Sequence, residues 1–398
     1  MSPRLVGLDL ARWCALLGMM ATHLLATRDE LTGDPTWVAE VFSGRASALF
    51  AVLAGVSLAL VTGGALPLRG AERVARSAGL AVRAIAVGVV GLLLGEVDSG
   101  LAVILVNYAL LFLVGLLVVG WGARSLAVLA VELALLAPVL LWWVRPVLPP
   151  RGYESPSLAS LEAPGHLLSE LVVTGYYPVL VWSAYVVAGM ALGRLDLRAV
   201  PSRVLALVGA VAAAVAVLAE LVSDRLLARP GMVRVLDRDQ WRLAGRDDER
   251  ALDALRHVID AGMYGQTPID GAWQWMLVAA PHSSTPTDLL RTGGSAVAAV
   301  VACLLLLRAL GPRGNRVVAV LAGAGAATLS LYTLHVLMTS DLLPPADDDR
   351  GAVLQVLVVV GAGSALALVG RRGPLEAVVA LGARTTERAV RGSARKGG

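Results

Sequence analysis

The chain has 398 residues, of which 57% are hydrophobic and 16% charged, and its mean hydropathy is +0.72. That balance excludes a soluble globular domain, which needs far more polar surface. The net charge of +4 sits in loops and forms no clustered basic face, which excludes nucleic-acid binding.

Apolar runs of about 18 or more residues recur along the chain, each long enough to cross the hydrocarbon core of a bilayer. They predict an all-α integral membrane protein, a polytopic bundle of about ten transmembrane helices, on the bilayer-crossing length. The expected spans are 5–26, 43–63, 78–95, 100–120, 125–143, 174–193, 203–223, 291–310, 316–338 and 352–370. The first run carries Asp9 and Arg12 and lacks a small-residue cleavage site, so it reads as a span and not as a signal peptide. Arginines then set the orientation. Arg69, Arg73 and Arg76, then Arg194, Arg198 and Arg203, then Arg308, Arg313 and Arg316 all fall on one side with the tail. The positive-inside rule makes that side cytoplasmic and puts both termini there. Residues 1–372 form the transmembrane domain and 373–398 a basic cytoplasmic tail. The expected location is the plasma membrane, multi-pass, with membrane lipid around it. Of the two longer outer loops, 144–173 reads as irregular. The other, about 224–290, carries an amphipathic helix over 247–263, with Ala251, Leu252, Leu255, Val258 and Ile259 as its apolar stripe.

Ionisable groups inside spans each need a reason. Asp9, Arg12 and His23 share the first span and, at about 100° per residue, fall within a sector of roughly 60°. Asp9 and Arg12 lie one turn apart and can pair, while His23 sits about 16 Å further along, near the outer end. Ser43-Gly44-Arg45 opens the second span, and Ser47, Ala51 and Gly55 follow at four-residue spacing as a seam for close helix contact. Arg45 is either an interfacial arginine or a fork of donors for an anionic or carbonyl ligand. Thr328, Tyr332, His335 and Thr339 make a polar stripe with His335 near its outer end. His282 precedes the eighth span in Pro281-His282-Ser283-Ser284-Thr285-Pro286. Cys14 and Cys303 lie in apolar runs and read as small hydrophobes, not as a disulfide or metal pair. No phosphate-binding loop, metal-spaced cluster or GxSxG elbow occurs.

The opening Gly7-Leu8-Asp9-Leu10-Ala11-Arg12, followed by Ala15 to Met20 and His23, resembles a family start. It is similar to the membrane acyltransferases related to heparan-alpha-glucosaminide N-acetyltransferase and the bacterial YeiB-type proteins. Further similar stretches follow in order: Gly44-Arg45 through Ser57, Asn107-Tyr108, His282 with Thr-Pro-Thr-Asp-Leu, Ser330 through His335, and Arg372 through Glu376. The resemblance implies transfer of an acyl group, acetyl first, from cytoplasmic acyl-CoA to a hydroxyl or amine of an extracytoplasmic sugar or envelope glycan. Acyl-CoA (acetyl-CoA) is the implied co-substrate, no metal is implied, and a homodimer is compatible with it. His23 is the implied base, oriented by Asp34 or Tyr332. Arg45 and His335 would polarise the thioester carbonyl or hold the acceptor, with His282 beside them. Asp9 and Arg12 would shape the CoA approach or pair structurally. Where heparan-type enzymes have a histidine three residues before a tryptophan, this chain has Asp34 ahead of Trp37. Either His23 replaces that histidine or this branch has another activity. The rival class is a transporter or exporter of a small polar or lipid-linked molecule, with the same polar residues lining a permeation path.

Overall fold

The computed structural model describes residues 5–152, 155–237, 248–265, 267–268, 271–343 and 349–396. Fifteen α-helices are described. In chain order they are α1 (Val6–Leu24), α2 (Trp37–Phe42), α3 (Arg45–Val61), α4 (Gly70–Gly95), α5 (Leu105–Leu117) and α6 (Ala123–Val144). Then come α7 (Pro164–Ser169), α8 (Val179–Gly193), α9 (Ser202–Leu227), α10 (Met232–Asp237) and α11 (Asp248–Ala261). The last four are α12 (Pro286–Leu321), α13 (Thr328–Met338), α14 (Asp349–Leu368) and α15 (Pro374–Lys396). Among the described residues the only extended pairing is an isolated bridge between Arg28 and Pro35.

Helix α3 is the centre of the bundle, packed against α1, α8 and α12. The small-residue seam expected along it is a backbone contact. A Cβ added at Gly55 would sit 1.9 Å from the Val186 carbonyl oxygen, and one at Gly189 of α8 would sit 1.9 Å from that of Val52. Lipid tails are as apolar as leucine, so such close packing, not exclusion from water, is what holds two apolar helices together in a bilayer. Free thiols of Cys14 and Cys303 meet where α1 crosses α12.

Six helical stretches are long and apolar enough to cross a membrane, or seven when 164–174 and 179–193 are taken as one span bent by 55°. That is fewer than the ten expected, although helix occurs within each of the ten segments. The difference has local causes. Helix α1 is diluted by Asp9, Arg12 and His23, while α5 and α13 have only 13 and 11 residues. The segment expected as one span over 316–338 is broken. Helix α12 runs through a kink at Gly311 (φ 65°) before Pro312 and stops at Leu321, and α13 starts at Thr328. Between them Gly323 and Gly325 wedge against α14 and α1, where added Cβ atoms would meet Gly363 O at 2.2 Å and Asp9 O at 1.9 Å. Two glycines let the chain thread between those helices, and that path ends the regular helix.

Two loop expectations change in detail. The stretch over 144–173 is irregular over 148–152 and 155–158, as expected, but short helical turns flank that part and end in a π-turn over Glu170–Thr174. The longer loop from 224 does carry the amphipathic helix, as α11. Its Ala251, Leu255 and Ile259 are buried in a separate small core with Leu226, Leu236, Met263 and Trp275. The segment expected as a basic tail is helix α15, and it packs along α4. Arg76 pairs with Glu387 at 3.0 Å and Arg391 pairs with Glu72.

Candidate functional site

The polar stripe of α13 and the polar face of α1 meet. His23 Nδ1 lies 3.0 Å from His335 Nε2. The two rings are parallel to within 3° with centroids 5.3 Å apart, so they meet edge to edge along that N···N line. His335 is fully buried, and its Nδ1 lies 3.2 Å from Gln355 Oε1 on α14. The Gln355 amide is itself fixed, because its Nε2 donates to the Met338 carbonyl at 3.1 Å.

This chain of bonds sets the tautomers. An amide oxygen only accepts, so His335 Nδ1 carries the proton and donates. Neutral His335 then has a bare Nε2, which must accept, so His23 Nδ1–H donates to it. His23 is left with its Nε2 lone pair, and that nitrogen makes no hydrogen bond among the described residues. The arrangement follows the logic of a base held by a second group that is held by a third.

His23 lines a cavity of about 1130 Å³. Its walls come from Thr22 at the end of α1, the 95–103 turn, Asn107, the 151–177 region and Met263-Tyr264. These segments are tied together. Ser155 accepts from the Val103 amide at 2.8 Å and donates to the Leu101 carbonyl at 2.9 Å. Asn107 donates to the Tyr177 carbonyl at 3.0 Å. Arg151 lies over the Tyr176 ring, 5.0 Å from its centroid, and donates to the carbonyls of Tyr264 and Gly152. Glu170, only 9% exposed, accepts the Gly152 amide at 2.7 Å through Oε1. On the rim, hydrogen bonds from Ser157 and the Ala159 amide hold the Glu96 carboxyl below the usual carboxylate range, so it is charged at neutral pH.

The other expected site residues lie elsewhere. Arg45 does not join the histidines. Its guanidinium pairs with Glu220 of α9 at 3.1 Å, which in turn pairs with Arg291 of α12 at 3.1 Å. Asp34 is exposed on the loop after α1, and no hydrogen bond joins it to His23. The group that orients His23 is His335. Tyr332 is buried one turn before His335, facing the Ile104 backbone and not the His23 ring. His282 sits behind the cavity wall, enclosed by Tyr176, Tyr177 and Trp182, with its backbone in the left-handed region at φ 55°. Burial, then the Arg291 guanidinium, push it down to about 4, so it is neutral. Asp9 and Arg12 form the expected pair at 2.8 Å, and Arg12 also donates to Ser57. They occupy the opposite end of α1 and do not line the cavity. Gln355, Glu170 and Arg151 were not foreseen. Gln355 had a readable signal, a lone amide in the apolar run 352–370. No group of three or more metal-binding side chains occurs among the described residues.

Residues 4–227, more than half of the chain, match the family described as heparan-alpha-glucosaminide N-acetyltransferase, catalytic. The match includes His23 and the 95–177 walls of the cavity and ends before His282, His335 and Gln355. Neither a curated protein nor a solved structure matches the chain.

Proposed function

Because the chain belongs to the heparan-alpha-glucosaminide N-acetyltransferase family, we propose that it moves an acyl group, acetyl first, from acyl-CoA to a hydroxyl or amine of an extracytoplasmic sugar or envelope glycan. The observation that carries the reading is the His23–His335–Gln355 chain at a cavity wall. It leaves one imidazole nitrogen unprotonated on a side chain that lines a cavity with room for an acceptor.

In this reading the acceptor occupies the cavity and the donor thioester approaches from the Asp9–Arg12 side, which the arginine asymmetry makes cytoplasmic. His23 Nε2 takes the proton of the acceptor hydroxyl or amine as its oxygen or nitrogen attacks the thioester carbonyl. The positive charge that develops on His23 is shared along the Nδ1–H bond to His335, whose own Nδ1–H leans on the Gln355 carbonyl. When the carbonyl reforms and the C–S bond breaks, His23 returns the proton to the departing thiolate. The dyad thus serves as base and then as acid within one turnover. Arg45, tied to Glu220, holds the outer ends of α3, α9 and α12 together and takes no part in the proton transfer.

The test is direct. Purified protein is incubated with acetyl-CoA and a panel of sugars while free CoA is followed with a thiol reagent. Acceptor-dependent CoA release is expected, and His23→Ala should lower it about 10²–10⁴-fold, the range for loss of a general base. Wild-type release at the level of His23→Ala would overturn the proposal.

A further inference from the structure

We infer that the acceptor enters the cavity from the bilayer, as a sugar headgroup carried on a lipid anchor that lies along Leu158, Leu161 and Leu168. The inference rests on the transfer reading above and names the acceptor class for the same site.

The cavity wall made by residues 155–171 carries it. This segment is pinned to the helix ends beside the cavity. A Cβ added at Gly95, the last residue of the spanning stretch Gly70–Gly95, would sit 2.1 Å from the Pro156 carbonyl oxygen, so the chain lies directly on the end of α4. The Ala159 amide then donates to Glu96 Oε1 at 3.2 Å. Further along, Leu167 and Leu171 pack into a small apolar cluster with Leu92 of α4 and with Val106 and Leu110 of α5. Leu92 precedes Gly95 by three residues, which places that cluster about 4.5 Å inside the helix end. The segment thus starts at the rim and dips beside the end turns of two helices. Its helical part, 164–174, meets 179–193 at a bend of 55°, the shape of a broken or re-entrant span. Such irregular backbone is tolerated at membrane depth where it lines a cavity.

The wall has two faces. Ser157, Ala159, Glu170 and Leu171 line the cavity. Interleaved with them, Leu158, Leu161 and Leu168 are 43%, 52% and 58% exposed and do not line it. Leucines exposed at the depth of helix ends meet hydrocarbon at less cost than water. The cavity is mixed in the same way. Val97, Leu101 and Val103 line it beside Glu96, Asp98 and Arg151. A free sugar carries hydroxyls on every side and has nothing for the apolar half. A glycolipid matches both halves and leaves its chains on the leucines. In the transfer, a headgroup hydroxyl oxygen bonds to the acyl carbon and the C–S bond breaks. The hydroxyl proton passes through His23 to the thiolate, so acylated glycolipid and CoA thiol are the products.

The probes are monoglucosyl and monogalactosyl diacylglycerol, each set against its water-soluble methyl glycoside. The full chain is placed in phosphatidylcholine nanodiscs containing a small share of either glycolipid, without acyl donor. Native mass spectrometry should show at least one glycolipid retained about tenfold above its share of the bilayer, since an anchored headgroup has a raised effective concentration at the site. Leu158→Ser/Leu161→Ser/Leu168→Ser should return retention to the bulk share. In a chain with Cys14 and Cys303 replaced by serine, fluorophores on Leu158→Cys, Leu161→Cys and Leu168→Cys should be quenched by spin-labelled lipid, a measurement that serves if the triple serine variant fails to fold. Retention of neither glycolipid, or labels that spin-labelled lipid leaves unquenched, would overturn the inference. The same probes are then assayed with acetyl-CoA. His23-dependent CoA release as fast with the methyl glycosides as with the glycolipids sinks this inference alone. Glycolipid retention without CoA release sinks the transfer reading alone.

Discussion

Gln355→Leu is the sharpest probe of the histidine chain, because Gln355 never reaches the cavity and can act only through His335. The substitution keeps the side chain's size and removes two bonds, His335 Nδ1–H to Oε1 and Nε2–H to the Met338 carbonyl. The orphaned His335 Nδ1–H is buried, and a buried unsatisfied donor costs about 1–3 kcal/mol. His335 can recover part of that by moving its proton to Nε2. It would then donate to His23 Nδ1, which pushes the His23 proton onto Nε2 and removes the base. The transfer rate should therefore fall by about 10²–10⁴, as for outright loss of a general base, while acceptor binding in the cavity is unchanged. Gln355→Glu gives the contrast. A carboxylate still accepts from His335 Nδ1–H and favours the charged dyad, so activity should persist with its rising pH limb displaced toward higher pH. The assay is CoA release against pH, with thermal unfolding in detergent as the control on folding. Gln355→Leu protein that folds and turns over within about threefold of wild type would refute the tautomer argument, since a lost base costs at least about a hundredfold.

Other outcomes follow from the same structure. Asp9→Asn or Arg12→Leu breaks a pair of which Asp9 is 5% exposed, and should cost about 3–5 kcal/mol at most, read as a lower unfolding temperature. The swapped Asp9→Arg/Arg12→Asp protein should regain part of it, and single variants as stable as wild type would refute a structural role. Gly55→Leu forces a side chain into the Val186 carbonyl and should abolish folded protein, whereas Gly64→Ala, beside open space, should only strain its turn; equal yields would refute the seam. In a chain with Cys14 and Cys303 replaced by serine, a cysteine at Ala159 should react with an impermeant maleimide added outside and one at Ala71 should not. The reverse pattern would invert the topology and put the cavity on the cytoplasmic side.

The sequence by itself determined the class of the protein and most of its helices, because apolar run length is a local property. It also marked His23 and His335 as costly residues in apolar surroundings, and Asp9–Arg12 as a pair, since three residues is less than one turn. What it could not determine was which polar groups meet. Positions 23 and 335 are 312 apart in the chain, and their contact depends on how α1 and α13 pack around the Gly323–Gly325 break. The same packing chose His335 over Asp34 as the partner of His23, and brought Gln355 of α14 to fix the tautomer. Arg45 looked equally suited to a ligand, but α9 delivers Glu220 to it, and a nearby carboxylate claims a guanidinium before any substrate does. The cavity belongs to no single segment. Three separate loops build it around His23, and only their assembly gives it a volume and a sign of charge.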